Sequence, residues 1–396
     1  MKHQIERRKI EMKRNISFGG VKVDVLAKYY VNRALNKSWL SEGKNTKEFE
    51  RLWAREFGYK HSIAVSSGTS ACTVALMTLY DFGARRGDNV IVPACTFVAT
   101  ANAVLAAGFI PKFVDIELDT LNINPGLIEQ EITSRTVAIM PVHLMGKPCN
   151  MDKIMKIAHR HGLKVIEDCC EAHGAKYKDK FVGSIGDMGV FSFYAAHIVC
   201  SGEGGMVVTN DDNVADLVRS IKSHGRPFGS VDFNFQRYGL NFKTNDLCSG
   251  IGIEGVSNFK KTFNTRKDNL NRLLDMDWPI RRFCYLLKEE KHELVSPHAF
   301  PMVFKDGSIE DRNILMSHLK LVGIDCKNLF GSLPTQHKAF EFLGYKLMDF
   351  PVSEFVGHHG CHVGCHQFLS DEDIDYISDS LFSFFKRLEP KIKRGR

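Results

Sequence analysis

Seven short runs of apolar and β-branched residues recur between residues 62 and 209, separated by stretches of helical character. They are Ser62 to Ser67, Val90 to Ala94, Lys112 to Ile116, Thr136 to His143, Lys164 to Asp168, Met188 to Phe193 and Gly205 to Thr209. A strand that is apolar throughout must be covered on both faces, and strands that alternate with helices run parallel. The pattern predicts an α/β fold with a largely parallel seven-stranded sheet between helical layers. One intervening helix, Asn150 to His161, is closed by Gly162 in the place of a C-terminal cap.

The flanks are different. Val25, Tyr29, Val31 and Leu35 leave a loose helical period, and Phe49, Leu52 and Phe57 begin another helix. Past Ser249 a long helical region runs from Gly255 to about His292, with Leu270, Leu273, Leu274, Phe283 and Leu287 on it. Ala299 to Phe304 reads as a strand and Ile309 to Leu321 as a helix. A last helix, Ser370 to Leu388, has a Ser cap, acids in its first turn and an Ile374, Ile377, Leu381, Phe385 stripe. We expect a basic tail at 1–15, a large domain at 16–255, a smaller α/β domain at 256–388 and a second basic tail at 389–396.

The formal charge of +7 is concentrated at the ends. Such tails are ordinarily solvated, and no nucleic-acid partner is expected. No apolar run approaches membrane-spanning length, and the basic start lacks a signal peptide's apolar core. Eleven cysteines, an odd number in a chain this long, fit buried reduced thiols and a cytoplasmic protein.

Several stretches can carry chemistry. Ser66-Ser67-Gly68-Thr69-Ser70-Ala71 joins a strand end to a helix start, where backbone N–H groups bind phosphate. Asp168 ends a strand, where α/β folds place ligands, and Glu171 follows it. The loop after Phe193 gathers Tyr194, His197 and Glu203 next to Ser192 and ahead of a double glycine. His358 to His366 packs six metal-capable side chains into nine residues, yet its Cys-x3-Cys spacing does not fix a tetrahedral site, so no metal is expected.

The stretch Phe191 to Gly205 resembles the active-site segment of the DegT/DnrJ/StrS sugar aminotransferases, fold-type I enzymes that use pyridoxal phosphate. The resemblance extends over about residues 20 to 388. It implies that Gly68, Thr69 and Ser192 hold the cofactor phosphate, that Phe97 stacks on the pyridine ring, and that Asp168 pairs with the ring nitrogen. Glu171 stands where the family commonly has Gln beside the ring hydroxyl. Tyr238 to Lys243 resembles a G-x-N-x-[RK] segment whose Asn, here Asn241, reaches the phosphate of the other subunit in a homodimer. The family's Schiff-base lysine is replaced by His197, as in its deoxysugar 3-dehydratase branch.

That replacement implies a cofactor held non-covalently as pyridoxamine phosphate (PMP). It also implies a nucleotide-linked 4-keto-6-deoxy sugar as substrate and glutamate as amino donor. An imidazole of ordinary pKa, ~6.5, can move protons at neutral pH. Arg226, Arg237 and Lys327 are candidates for the substrate diphosphate. No cysteine lies between Cys200 and Cys248, so the three-cysteine part of an iron–sulfur relative's cluster is missing. The rivals are an aminotransferase that tolerates His, a non-catalytic member of the family and a zinc protein.

Overall fold

The computed structural model describes residues 14–275, 280–305 and 309–393. All seven expected strands are present. In chain order the first five are β1 (His61–Val65), β2 (Asn89–Pro93), β3 (Ile110–Val114), β4 (Thr136–Ile139) and β5 (Lys164–Asp168). Two short strands follow, β6 (Lys176–Tyr177) and β7 (Lys180–Phe181), and then β8 (Met188–Ser192) and β9 (Gly205–Thr209). The large sheet has the order β1-β9-β8-β5-β4-β2-β3. Only β9 runs antiparallel to its neighbours, β1 and β8.

Helices cover both faces. Gly68–Met77, Val98–Ala106 and Asp212–Ile221 bury Leu76, Val104 and Val218 on one side. Lys44–Phe57 and Asp246–Ser257 bury Phe49, Trp53 and Ile253 on the other, with Met151–His161 beside them. Burial on both faces explains why these strands are apolar without alternation.

The second half holds β10 (Cys284–Leu286), β11 (Glu293–Leu294), β12 (Ala299–Phe304), β13 (Cys326–Asn328) and β14 (Gly360–Gly364). β10, β12, β14 and β13 form an antiparallel sheet in that order, while β11 joins β6 and β7 in a small third sheet. The helices Phe259–Leu274, Ile309–Leu321 and Asp371–Lys393 back the second sheet with Leu273, Leu315 and Ile377.

Three expectations change. The helical region expected up to His292 breaks at Asn258, runs to Leu274 and includes only the short helix Ile280–Phe283 before β10. Cys284–Leu286 finds ladder partners at Phe304, Val303 and Met302, and cross-strand pairing overrides its helical pattern. The last helix runs on to Lys393, five residues past its expected end. Of the basic tails, residues 1–13 and 394–396 lie outside the described residues.

The first helix, Val25–Asn36, is present but turned around. Its small residues Ala27 and Ala34 face inward, where Gly250 of the helix Asp246–Ser257 lets the two backbones approach. Val25, Tyr29 and Leu35 are left exposed. Residues between β13 and β14 return to the first core, since Leu333, Phe340 and Phe350 pack in the same cluster as Leu76.

One close approach sets the geometry of the cleft. A Cβ at Gly205 would lie 2.2 Å from the Ser67 carbonyl oxygen, so β9 passes the β1 turn with no room for a side chain. Gly205→Ala therefore forces the turn to move. It should lower stability by about 2 kcal/mol, the order typical of overpacking, and chemical denaturation would read this.

Candidate active site

A cavity of about 380 Å³ opens at the carboxyl ends of β1, β2, β5 and β8. It is lined by Gly68, Thr69, Phe97, Asp168, Glu171, Ser192 and His197 among others. Seven of the eight residues singled out in the sequence thus meet in one place. The eighth, Asn241, is exposed and does not line this cleft, being bridged through its backbone to Ser223.

Each side chain has a local reason to be where it is. Ser67 caps the helix Gly68–Met77, and its Oγ accepts from the Ser70 N–H at 3.0 Å. The first N–H groups of a helix have no intrahelical acceptor, so those of Gly68 and Thr69 are free for an anion. A Cβ on Gly68 would lie 2.6 Å from the Ser192 Cβ, so glycine is what lets Ser192 approach. Phe97, 57% exposed, stands at the N-terminus of the helix Val98–Ala106 and forms an open apolar wall with Phe330.

Asp168 is buried at the end of β5. Its Oδ2 accepts from Thr100 Oγ1 at 3.0 Å and its Oδ1 from the Cys170 N–H at 3.2 Å. Glu171 Oε2 accepts from the Met145 N–H at 2.8 Å, and its Oε1 lies 3.5 Å from His298 Nε2. Burial pushes the Glu171 carboxyl up to about 7, with the Asp168 charge adding to the effect.

His197 lies on the loop between β8 and β9, which is closed by Phe193 N–H to Gly204 O and Ser201 N–H to Phe193 O, both 2.9 Å. Its ring stands 5.6 Å from those of His173 and His298. Burial, aided by the Arg266 charge, pushes the His197 imidazole down to about 3, so it is a neutral base across the physiological range. This corrects the ordinary value expected from sequence, which takes no account of desolvation. Its Nδ1 is buried and has no hydrogen-bond partner among the described residues.

The structure adds residues that the sequence did not single out. His298, just ahead of β12, and Phe18, from the N-terminal segment, both line the cleft. Nothing near them in the chain marks either one, because distant segments bring them in. Of the three diphosphate candidates, Lys327 lines the cleft, with its Nζ 4.3 Å from the centre of the Phe18 ring. Arg237 instead pairs with Asp81 at 3.2 Å, and Arg226 lines a separate cavity with Lys243. In the His- and Cys-rich segment, strand alternation sends Cys361 into the core and His362 into the cleft, so the two diverge.

The donor set fits pyridoxal phosphate. It offers a helix N-terminus and a serine for the phosphate, an aromatic wall for the ring, and a fixed carboxylate for a protonated ring nitrogen. Fold and site together define a fold-type I, pyridoxal-phosphate-dependent enzyme. The chain belongs to the DegT/DnrJ/EryC1/StrS aminotransferase family, whose sequence profile matches residues 23–382.

It is 34% identical over 367 residues to GDP-perosamine synthase of Escherichia coli O157:H7, covering 90% of this chain and 95% of that protein. Helicobacter pylori PseC, an aminotransferase involved in the biosynthesis of pseudoaminic acid, superposes with a TM-score of 0.87. It is 26% identical, over 94% of this chain and all of that one. GDP-4-keto-6-deoxymannose-3-dehydratase, solved with a trapped PLP-glutamate geminal diamine, gives a TM-score of 0.84 at 28% identity, over 93% of this chain and all of that one. The cofactor is pyridoxal phosphate. No helix among the described residues is long and apolar enough to cross a membrane.

The neutral histidines carry a stability signature. His173, His197 and His298 all have folded pKa values below the ordinary 6.5. Below that pH the unfolded chain takes up protons that the folded site refuses, so stability is lost as pH falls. The melting temperature of the cofactor-free protein should drop between pH 7 and 5, less steeply for His197→Asn than for the wild type. Parallel melting curves for the two proteins would mean that His197 is not held neutral.

Proposed function

We propose that this protein is a nucleotide-sugar 3-dehydratase that removes the C3 hydroxyl of a nucleotide-linked 4-keto-6-deoxyhexose. In this reading PMP is held without a covalent bond and is regenerated by glutamate. The observation that carries it is His197, an imidazole where the family's lysine would stand, neutral and facing the cleft. The likeness to a GDP-sugar 3-dehydratase supports the reaction and favours GDP as the nucleotide.

When bound, the cofactor supplies an amine for the sugar's ketone and a ring that withdraws electrons. Gly68, Thr69 and Ser192 bind its phosphate, Phe97 covers the ring face, and Asp168 holds the proton on the ring nitrogen. Glu171, titrating near neutrality, can donate as well as accept beside the ring hydroxyl. His197 takes a proton at the C4′ carbon and can return it to the departing C3 hydroxyl. The product after hydrolysis is one oxygen lighter than the substrate. A second reading, amination of the 4-keto group, is favoured by the likeness to PseC and would leave an amine in place of the ketone.

Incubation with a panel of nucleotide-linked 4-keto-6-deoxy sugars plus glutamate separates the two readings by product mass. Acid–base groups contribute ~10²- to 10⁴-fold, so His197→Asn should lose dehydration by about that factor while retaining PMP. His197→Lys should bind the cofactor covalently, show a visible absorbance band and shift the product toward amination. Full dehydration by His197→Asn would remove the base from this scheme.

The same reading includes a homodimer with shared sites. Asn241 is exposed and does not line its own cleft, and the preceding loop exposes Phe228, Phe233, Phe235 and Tyr238. With the outward face of the helix Val25–Asn36, these supply apolar surface for a second copy. Sedimentation should give a dimer, and Val25→Glu with Tyr29→Glu should yield monomer that retains cofactor poorly. A wild-type protein that sediments as a monomer with full activity would refute shared sites.

A further inference from the structure

We propose that Arg266 is a positioning residue for His197, a buried guanidinium that locks the turn carrying the imidazole and sets the electrostatic field around it. This rests on reading His197 as the base of the site. Arg266 lies on the helix Phe259–Leu274, belongs to the second half of the chain, and is 1% exposed. Its NH1 donates to the Ala196 carbonyl and its NH2 to the His197 carbonyl, both at 3.1 Å. Its Nε donates to Gln367 Oε1 at 2.6 Å. The planar fork therefore reaches two consecutive carbonyls in a fixed geometry while its Nε holds a third acceptor, an arrangement the point charge of an ammonium does not reproduce.

The charge is as unusual as the geometry. All three acceptors are neutral, and no carboxylate pairs with Arg266 among the described residues. A buried cation without a counter-ion is costly, and the three hydrogen bonds offset that cost only in part. Its neighbours are imidazoles. After burial, the Arg266 charge contributes to holding His197, His173, His298 and His366 below their ordinary range.

The other ionisable groups in the cleft around His197 are Tyr194, Glu203, Glu171, Asp168, Cys72, Cys170, His362 and Lys327, with Cys200 on its own loop. None of these donates to the His197 backbone. The arrangement also gives a purpose to the His- and Cys-rich segment. Asn269, one turn on from Arg266, donates to the Cys365 and His366 carbonyls at 3.4 and 3.1 Å, and Gln367 follows directly. The segment thus holds the guanidinium that holds His197.

The test uses full-length, cofactor-loaded protein with ¹³C-labelled histidine, the His197 signal being assigned with His197→Asn. In the wild type this signal, followed from pH 8 down to 4, should hold its neutral position. In Arg266→Gln the onset of titration should move up by about one pH unit and enter that range, the scale of a removed neighbouring charge. The rate of amino-group exchange with glutamate should fall about 10²-fold, the cost of a misplaced catalytic group, with the glutamate KM little changed.

In Arg266→Lys the charge remains but the fork is gone, so the titration should stay near wild type while the rate falls. If Arg266→Gln does not accumulate as folded protein, the lysine variant decides, and a wild-type rate there overturns the proposal. An unchanged His197 titration together with an unchanged rate in Arg266→Gln overturns it outright. If His197→Asn keeps its full rate while Arg266→Gln still moves the His197 signal, the dehydratase reading fails and the positioning role stands.

Discussion

A buried carboxylate is tolerable only if its oxygens are hydrogen-bonded, and two consecutive ones meet that demand differently at the end of β5. Glu167 points away from the cleft. Its Oε1 accepts from the Ile185 and Gly186 N–H groups at 2.8 and 2.7 Å, and its Oε2 lies 3.1 Å from His143 Nε2. The His143 Nδ1 accepts from the Cys149 N–H, so the Nε2 carries the proton toward Glu167. Asp168, on the other face, accepts from one hydroxyl, one N–H and, at 3.9 Å, the weak Cys72 thiol donor, which leaves capacity for a ligand. Its backbone is pinned as well, N–H to Pro141 O at 2.8 Å and O to His143 N–H at 3.0 Å. The structural carboxylate and its frame thus fix the functional one, and the cleft is built outward from that point.

Much of this was legible in the chain. Strands buried on both faces write themselves as apolar runs, and all seven were readable to within a few residues. The glycines at 68 and 205 were readable as features of turns, though the contacts that require them were not. The helix Val25–Asn36 was readable as a helix but not in its facing, because two alanines and a distant glycine decide how it docks. β10 was hidden for a similar reason, since its partner strand begins thirteen residues after it ends.

The site divides along the same line. Asp168, Ser192 and His197 sit on segments whose local pattern marks them as candidates. Arg266, His298 and Phe18 arrive from other parts of the chain, and no spacing rule brings them together. The low basicity of His197 is a property of burial and of a neighbouring cation, and neither exists until the chain has folded.

The return of Leu333, Phe340 and Phe350 to the first core bears on synthesis. Chains leave the ribosome from the N-terminus, and domains ordinarily fold as they emerge. Here the core under β1, β2 and β8 is finished by side chains made more than a hundred residues after the last strand of that sheet. The nascent first half must therefore wait with an apolar face uncovered while the second sheet is still being made. The demand this places on the cell is for chaperone protection during that interval.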